Sequence, residues 1–365
     1  MSTSPPPAAN GSQLLDRLLR VMVERSGSDL HLIAGNPPRV RIHGDLLILE
    51  PAPLNAEELA ANLQAIAPPA AASMFDRDDQ ADFAYSIPGV ARFRINVFRH
   101  LGGMGAVMRA IPSEAVSLDS LKLPDVVRSL CQHRQGMILV TGKTGSGKST
   151  TLAAMINEIN KTRKGHIITI EDPIEFLHQR HGCLISQREV GTHTPAFAEA
   201  LLSALREDPD VVLVGELRDI ETMSTAITAA EMGILVMGTL HTNGAAATVD
   251  RIVHAFPPEK QLHVRTMLST SLRGVISQQL CRRKTGSGRI AALEILINTS
   301  AISNLLRQGK LDQLETAMQS GANVGMRTMD SALQELLDRR FITGREAYEK
   351  ASSKDRFRKV AEQSG

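Results

Sequence analysis

Residues 136–149 read Gly136-Met137-Ile138-Leu139-Val140-Thr141-Gly142-Lys143-Thr144-Gly145-Ser146-Gly147-Lys148-Ser149. An apolar run with the character of a buried strand ends in glycine-rich punctuation, and a helix-forming stretch opens at Lys148. The last eight residues fit GxxxxGK[ST], which average composition produces in about 1% of chains this long. The spacing has a chemical reason. Glycines let backbone N–H groups turn inward around a β-phosphate, and the N-terminus of the following helix adds positive potential. Lys148 is expected to reach the β- and γ-phosphates and Ser149 to ligate Mg²⁺. Gly142, Lys143, Thr144, Gly145, Ser146, Gly147 and Thr150 complete the expected nucleotide-binding set.

Outward from this stretch, apolar strands alternate with longer helices. Strands are predicted at 137–141, 167–170, 211–214 and 234–240, with helices from 148, near 197–205 and at 220–232. Continuous apolar strands between helices mean an α/β fold with a parallel sheet covered on both faces. The remainder, from 258 to about 354, reads as largely helical. The text before 112 has a different grammar. Residues 1–12 are small and polar and read as a disordered lead. Leu14, Leu15, Leu18, Leu19 and Met22 then make a helical stripe that Gly27 can stop. Between 29 and 111 period-two alternation dominates: Val40 and Ile42 alternate with Arg39, Arg41 and His43, and Phe93, Ile95 and Val97 with Arg92 and Arg94. One helix, at about 55–66, interrupts these strands. The expected organisation is an α+β domain at 13–111, a linker at 112–124, and the α/β domain with its helical C-terminal region at 125–365.

Composition removes several function classes. The chain's 365 residues suit two domains, and no apolar run approaches the roughly 18 residues of a membrane span. The start lacks the basic-then-apolar pattern of a secretory signal. Lys and Arg (41) nearly balance Asp and Glu (39), and aromatics are 3% with no Trp. That argues against a protein tracking nucleic acid backbone or stacking bases. Cys131, Cys183 and Cys281 form no CxxC pair, so neither a disulfide framework nor a local zinc site is expected, which suits the cytoplasm.

Three more positions carry chemistry. The strand in Asp208-Pro209-Asp210-Val211-Val212-Leu213-Val214-Gly215-Glu216 delivers Glu216 to the carboxyl edge of the sheet, where open α/β sheets bind ligands. A carboxylate there can polarise an attacking water or hold the Mg²⁺ shell, although a helix cap or surface ion pair is its plainer use. Glu171-Asp172-Pro173-Ile174-Glu175 follows the preceding strand, so its acids are expected at the same edge, with Glu175 aimed differently by the proline. Thr239-Leu240-His241-Thr242 ends a further strand, placing His241 where it can meet a γ-phosphate or serve only structure.

In this order and spacing, these four motifs resemble the secretion-ATPase superfamily, and within it the type IV pilus retraction ATPases (the PilT/PilU family). Gly27-Ser28-Asp29-Leu30-His31-Leu32, Gln187-Arg188-Glu189-Val190-Gly191 and Ser271-Leu272-Arg273-Gly274-Val275 support that branch, and the likeness runs from about 14 to 355. The resemblance implies a PAS-like first domain, a RecA-like P-loop NTPase second domain, and a hexameric ring that hydrolyses ATP with Mg²⁺. It makes Glu216 the Walker B carboxylate, Glu175 the acidic-box residue near nucleotide, and His241 a phosphate sensor. Arg92 and Arg94 share a strand face and Arg109 lies on the next strand; in a ring they are candidates for arginine fingers. The resemblance further implies retraction of a pilus from the cytoplasmic side of the inner membrane, against a platform protein, with a paralogous ATPase as a possible partner. Ser303 and Gln308 stand where the family's C-terminal helix motif usually has arginine and glutamate. An accessory PilU-like subunit assisting a paralogous motor, or a secretion or assembly ATPase, are the alternatives. The usual longer N-terminal region and four-cysteine module of assembly members are not in this sequence.

Overall fold

The computed structural model describes residues 13–42, 44–111, 116–286 and 288–362. The expected lead (1–12), His43 and the first part of the expected linker (112–115) lie outside them. The chain divides into two compact units, Met1–Ser113 and Glu114–Gly365.

Among the described residues, the first unit runs α1 (Gln13–Glu24), β1 (Asp29–Ile33), β2 (Arg39–Ile42), β3 (Asp45–Ile48), α2 (Ala56–Ile66), α3 (Pro69–Asp78), β4 (Gln80–Ile87), β5 (Ala91–His100) and β6 (Gly103–Ile111). Its six strands form an antiparallel sheet in the order β3-β2-β1-β6-β5-β4. The helical stripe holds: Leu15, Leu18, Leu19 and Met22 of α1 are fully buried. Alternation along β5 also holds, with Phe93, Ile95 and Val97 in the core and Arg94 exposed. Two helices, not one, lie between β3 and β4. Pro69 occupies the first turn of the second helix, where its missing N–H costs nothing.

The second unit runs α4 (Asp125–Cys131), β7 (Gly136–Thr141), α5 (Lys148–Thr162), β8 (His166–Glu171), β9 (Leu184–Glu189), α6 (Phe197–Ala204), β10 (Val211–Val214), α7 (Ile220–Glu231), β11 (Leu235–Leu240), α8 (Ala245–Ala255), α9 (Pro258–Ser271), β12 (Leu272–Arg282) and β13 (Arg289–Ile297). Helices α10 (Ser300–Gln308), α11 (Leu314–Ser320), α12 (Met329–Asp338), α13 (Gly344–Lys350) and α14 (Lys354–Glu362) follow. The sheet order is β13-β12-β7-β11-β10-β8-β9, parallel except for β13. Every residue of β7 is buried, because the period of two sends Met137 and Leu139 into the core under α7 and α9 and Ile138 and Val140 into the one under α4 and α5. Leu118 joins that second core. Cys131 and Cys183 belong to it as well, while Cys281 packs with Leu333 and Phe357 in a separate C-terminal cluster.

The largely helical region expected after 258 requires correction, since it contains the β12–β13 hairpin, which extends the central sheet. The polar residues Ser277 and Gln278 interrupt the apolar text of β12, yet both are buried at 2% exposure because their side chains are hydrogen-bonded inside the unit.

Candidate active site

Because β7, β8, β10 and β11 are parallel, their carboxyl ends open on one edge, and the loop 142–147, the 171–175 turn, Glu216 and His241 all leave from it. Gly142, Gly145 and Gly147 hold φ of 138°, 78° and 88°, where side chains are strained. At Gly142 a Cβ would also lie 2.3 Å from the Gln278 carbonyl oxygen, so only glycine fits. Lys148, the first residue of α5, is folded back over the loop: its Nζ donates to the Gly142 carbonyl at 2.9 Å and the Lys143 carbonyl at 3.3 Å. Burial lowers the Lys148 pKa, and the charges of Glu216 and then Glu175 pull against that.

Lys148 Nζ is also 3.4 Å from His241 Nδ1, and His241 Nε2 is 3.2 Å from Glu216 Oε1. An ammonium has only hydrogens to give, so Nδ1 accepts and Nε2–H is left to donate to Glu216. The other Glu216 oxygen meets Arg218 Nε at 2.7 Å. Lysine, imidazole, carboxylate and guanidinium thus form one chain along the sheet edge.

The acidic turn separates the residues the sequence grouped. Glu175 is exposed, but Glu171 does not emerge at the edge: it is turned inward, taking hydrogen bonds from the Thr169 hydroxyl at 2.7 Å and Gln187 Nε2 at 3.3 Å. Burial pushes the Glu171 carboxyl up to about 7 from its ordinary 4.5. The unfolded chain therefore ionises first as pH rises, so the contribution of Glu171 to stability is fully present below pH 4.5 and is lost as pH climbs through about 7. The whole span is worth roughly 3 kcal/mol. Glu171→Gln mimics the neutral acid, so its stability relative to wild type should rise between pH 5 and pH 8. Urea midpoints at the two pH values read this, and parallel midpoints would show that Glu171 is ionised in the fold.

The residues suit a nucleotide and its cation. Ser146 Oγ is buried with no hydrogen-bond partner among the described residues, and Ser149 and Thr150 are half-buried in the first turn of α5. The described residues contain no group of three His, Cys, Asp or Glu side chains placed to hold a metal. The unpartnered Ser146 hydroxyl and the half-buried hydroxyls beside it fit a nucleotide whose phosphate oxygens would carry most of a Mg²⁺ shell. In the first unit, Arg94 and Arg109 are directly opposite across β5 and β6, and Arg92 lies two residues along the same strand. Arg109 Nε is 2.7 Å from Asp29, while Arg94 is 3.7 Å from Asp82.

Comparison with known proteins bears on this arrangement. Residues 9–298 match the family described as "Type II/IV secretion system protein". The type IV pilus retraction ATPase PilT of Pseudomonas aeruginosa is 48% identical over 343 residues, covering 94% of this chain and 99% of that protein. This chain belongs to the PilT/PilU family. The P. aeruginosa pilus ATPase PilU is 39% identical over 94% of this chain and 90% of its own. A crystal structure of the pilus retraction motor PilT with bound ADP superposes with a TM-score of 0.87 at 43% identity, covering 95% of this chain and 98% of that one.

Two side chains of this PilT/PilU family member that no sequence motif marks are Gln278, which is buried, and Glu294, which is half-buried. Gln278 bonds the phosphate loop from β12. Glu294 on β13 accepts from the Ala245 N–H at 2.6 Å and the Met329 N–H at 3.2 Å, holding the starts of α8 and α12 with one carboxylate. Neither residue type carries a local signal, and both come from the hairpin inside the region expected to be largely helical. On α10, Ser303 donates to the Ser269 carbonyl at 2.7 Å and Gln308 bonds Asn304 at 3.2 Å, so these departures from the usual family motif stay within the unit.

Proposed function

We propose that this chain is a Mg²⁺-dependent ATP-hydrolysing motor that powers type IV pilus retraction, and hence twitching motility, working as a hexameric ring. The observation that carries the reading is the continuous Lys148–His241–Glu216 contact chain beside the phosphate loop, in a chain similar over nearly its full length to a pilus retraction ATPase. In this reading the first unit is PAS-like and the second RecA-like. Backbone N–H groups of the loop and Lys148 hold the β- and γ-phosphates, and Ser149 ligates the cation. Mg²⁺, when bound, neutralises charge on the phosphate oxygens. Glu216 orients and deprotonates the attacking water, and Glu175 adds negative charge facing it. His241 turns its Nε2–H from Glu216 to the γ-phosphate, and its place reports whether that phosphate is present. Arg92, Arg94 and Arg109 of a neighbouring copy supply positive charge across the ring interface.

Among the described residues no helix is long and apolar enough to cross a membrane. That is compatible with a cytoplasmic ring docked at the inner-membrane base of the pilus, against a platform protein and with a paralogous ATPase as a further partner. Ser303, committed to Ser269 where the family usually presents an arginine, favours as a second reading an accessory PilU-like subunit. Steady-state phosphate release by the purified chain, with and without Mg²⁺, tests the ATPase. Twitching of a deletion strain complemented with this gene tests retraction. Turnover without restored twitching would leave an ATPase that is not the principal motor.

A further inference from the structure

The phosphate loop is clamped by a side chain 132 positions later in the chain. Gln278, at 2% exposure, donates from Nε2 to the Ser146 carbonyl at 2.7 Å, and its Oε1 accepts from the Thr151 hydroxyl at 2.7 Å. Its orientation is unambiguous, because a carbonyl can only accept and so must face the amide nitrogen. A Cβ at Gly147 would fall 2.8 Å from that same nitrogen, so the loop glycine and the glutamine are fitted to each other.

The consequence follows from peptide geometry. C=O and N–H lie in one plane and point in opposite directions across a trans peptide bond, so tying the Ser146 carbonyl toward Gln278 turns the Gly147 N–H away from it. That is the side on which an anion can be received. The second arm, to Thr151, fastens the same side chain to the first turns of α5, so loop and helix start keep one relative position. A primary amide offers one donor and one acceptor in this fork at every pH. Ionised glutamate offers two acceptors and leucine none.

We infer that Gln278 is the positioning residue of the phosphate loop, fixing through Ser146 and Thr151 the shape that receives the β-phosphate. This rests on the ATPase reading. The test measures kcat and KM for ATP, from pH 5.5 to 8.5, for the full chain with Lys148→Ala, Gln278→Leu and Gln278→Glu, each as a ratio to wild type. Gln278→Leu should lower kcat/KM about tenfold or more at every pH, since two buried polar groups lose their partner. Gln278→Glu should behave differently. Protonated, its O–H restores the bond to Ser146; ionised, it sets a negative charge against a carbonyl oxygen beside the phosphate site. Its kcat/KM ratio should therefore approach wild type at pH 5.5 and fall tenfold or more by pH 8.5, with burial moving the titration above the ordinary carboxylate range. A purely structural glutamine would give a ratio that only follows each variant's folded fraction, read by a thermal melt at each pH. If Gln278→Leu does not fold, the pH profile of Gln278→Glu still decides. Wild-type kcat/KM in both variants, or a flat Gln278→Glu ratio, overturns the inference while Lys148-dependent turnover by wild type leaves the ATPase reading standing. Absence of Lys148-dependent turnover in wild type removes both.

Discussion

Lys148→Ala is expected to weaken ATP binding on the order of 100-fold or more and to take turnover below detection. The ammonium is held by two loop carbonyls and aimed along the sheet edge at the place a phosphate must enter, so its removal deletes a desolvated charge contact. Such contacts are worth about 2–5 kcal/mol when one partner is truncated, and each 1.4 kcal/mol is tenfold in affinity. Stability should move much less. Burial lowers the lysine's pKa, so the fold gains little from holding it charged. A nucleotide titration beside a thermal melt separates the two effects. Wild-type affinity in the variant would show that Lys148 does not face the phosphates.

Glu216→Gln should produce the opposite pattern, with kcat falling about 10²–10⁴-fold and nucleotide affinity retained. The amide keeps the carboxylate's shape and an oxygen that can still accept from His241 or Arg218, so the contact chain beside the loop survives. What it loses is the basicity needed to take a proton from water. Phosphate release and ATP affinity measured on one preparation read both halves. An unchanged kcat would reassign Glu216 to a purely structural ion pair.

The sequence made legible whatever is written locally. The strand–loop–helix at 136–149 needs only neighbours to be read, and the strands ending before Glu216 and His241 are buried at every position and almost wholly apolar. Alternation alone puts Arg92 and Arg94 on one strand face, and β5 has its buried apolar residues on the other. What stayed hidden depends on contacts between distant segments. Glu171 looks identical to Glu175 in the sequence, yet it is turned inward onto Thr169 and Gln187. The pairing of Arg109 with Asp29 comes from the β1–β6 register, which no local pattern encodes. Gln278 and Glu294 are polar residues on strands, and their placement makes sense only once β12 lies beside the loop and β13 beside two helix starts.

The three cysteines give the chain an unused property. Burial raises all three thiols, Cys131 and Cys281 up to about 12, so at neutral pH only on the order of one in 100,000 at those two positions is a reactive thiolate. A cysteine introduced on the surface would outrun them in any mild alkylation, and a single probe can be attached without first removing native sulfur. The native three then become clocks. Cys131 and Cys281 sit in different cores, so their slow modification rates time, separately, how often the packing under α4 and the packing of the C-terminal helices come open.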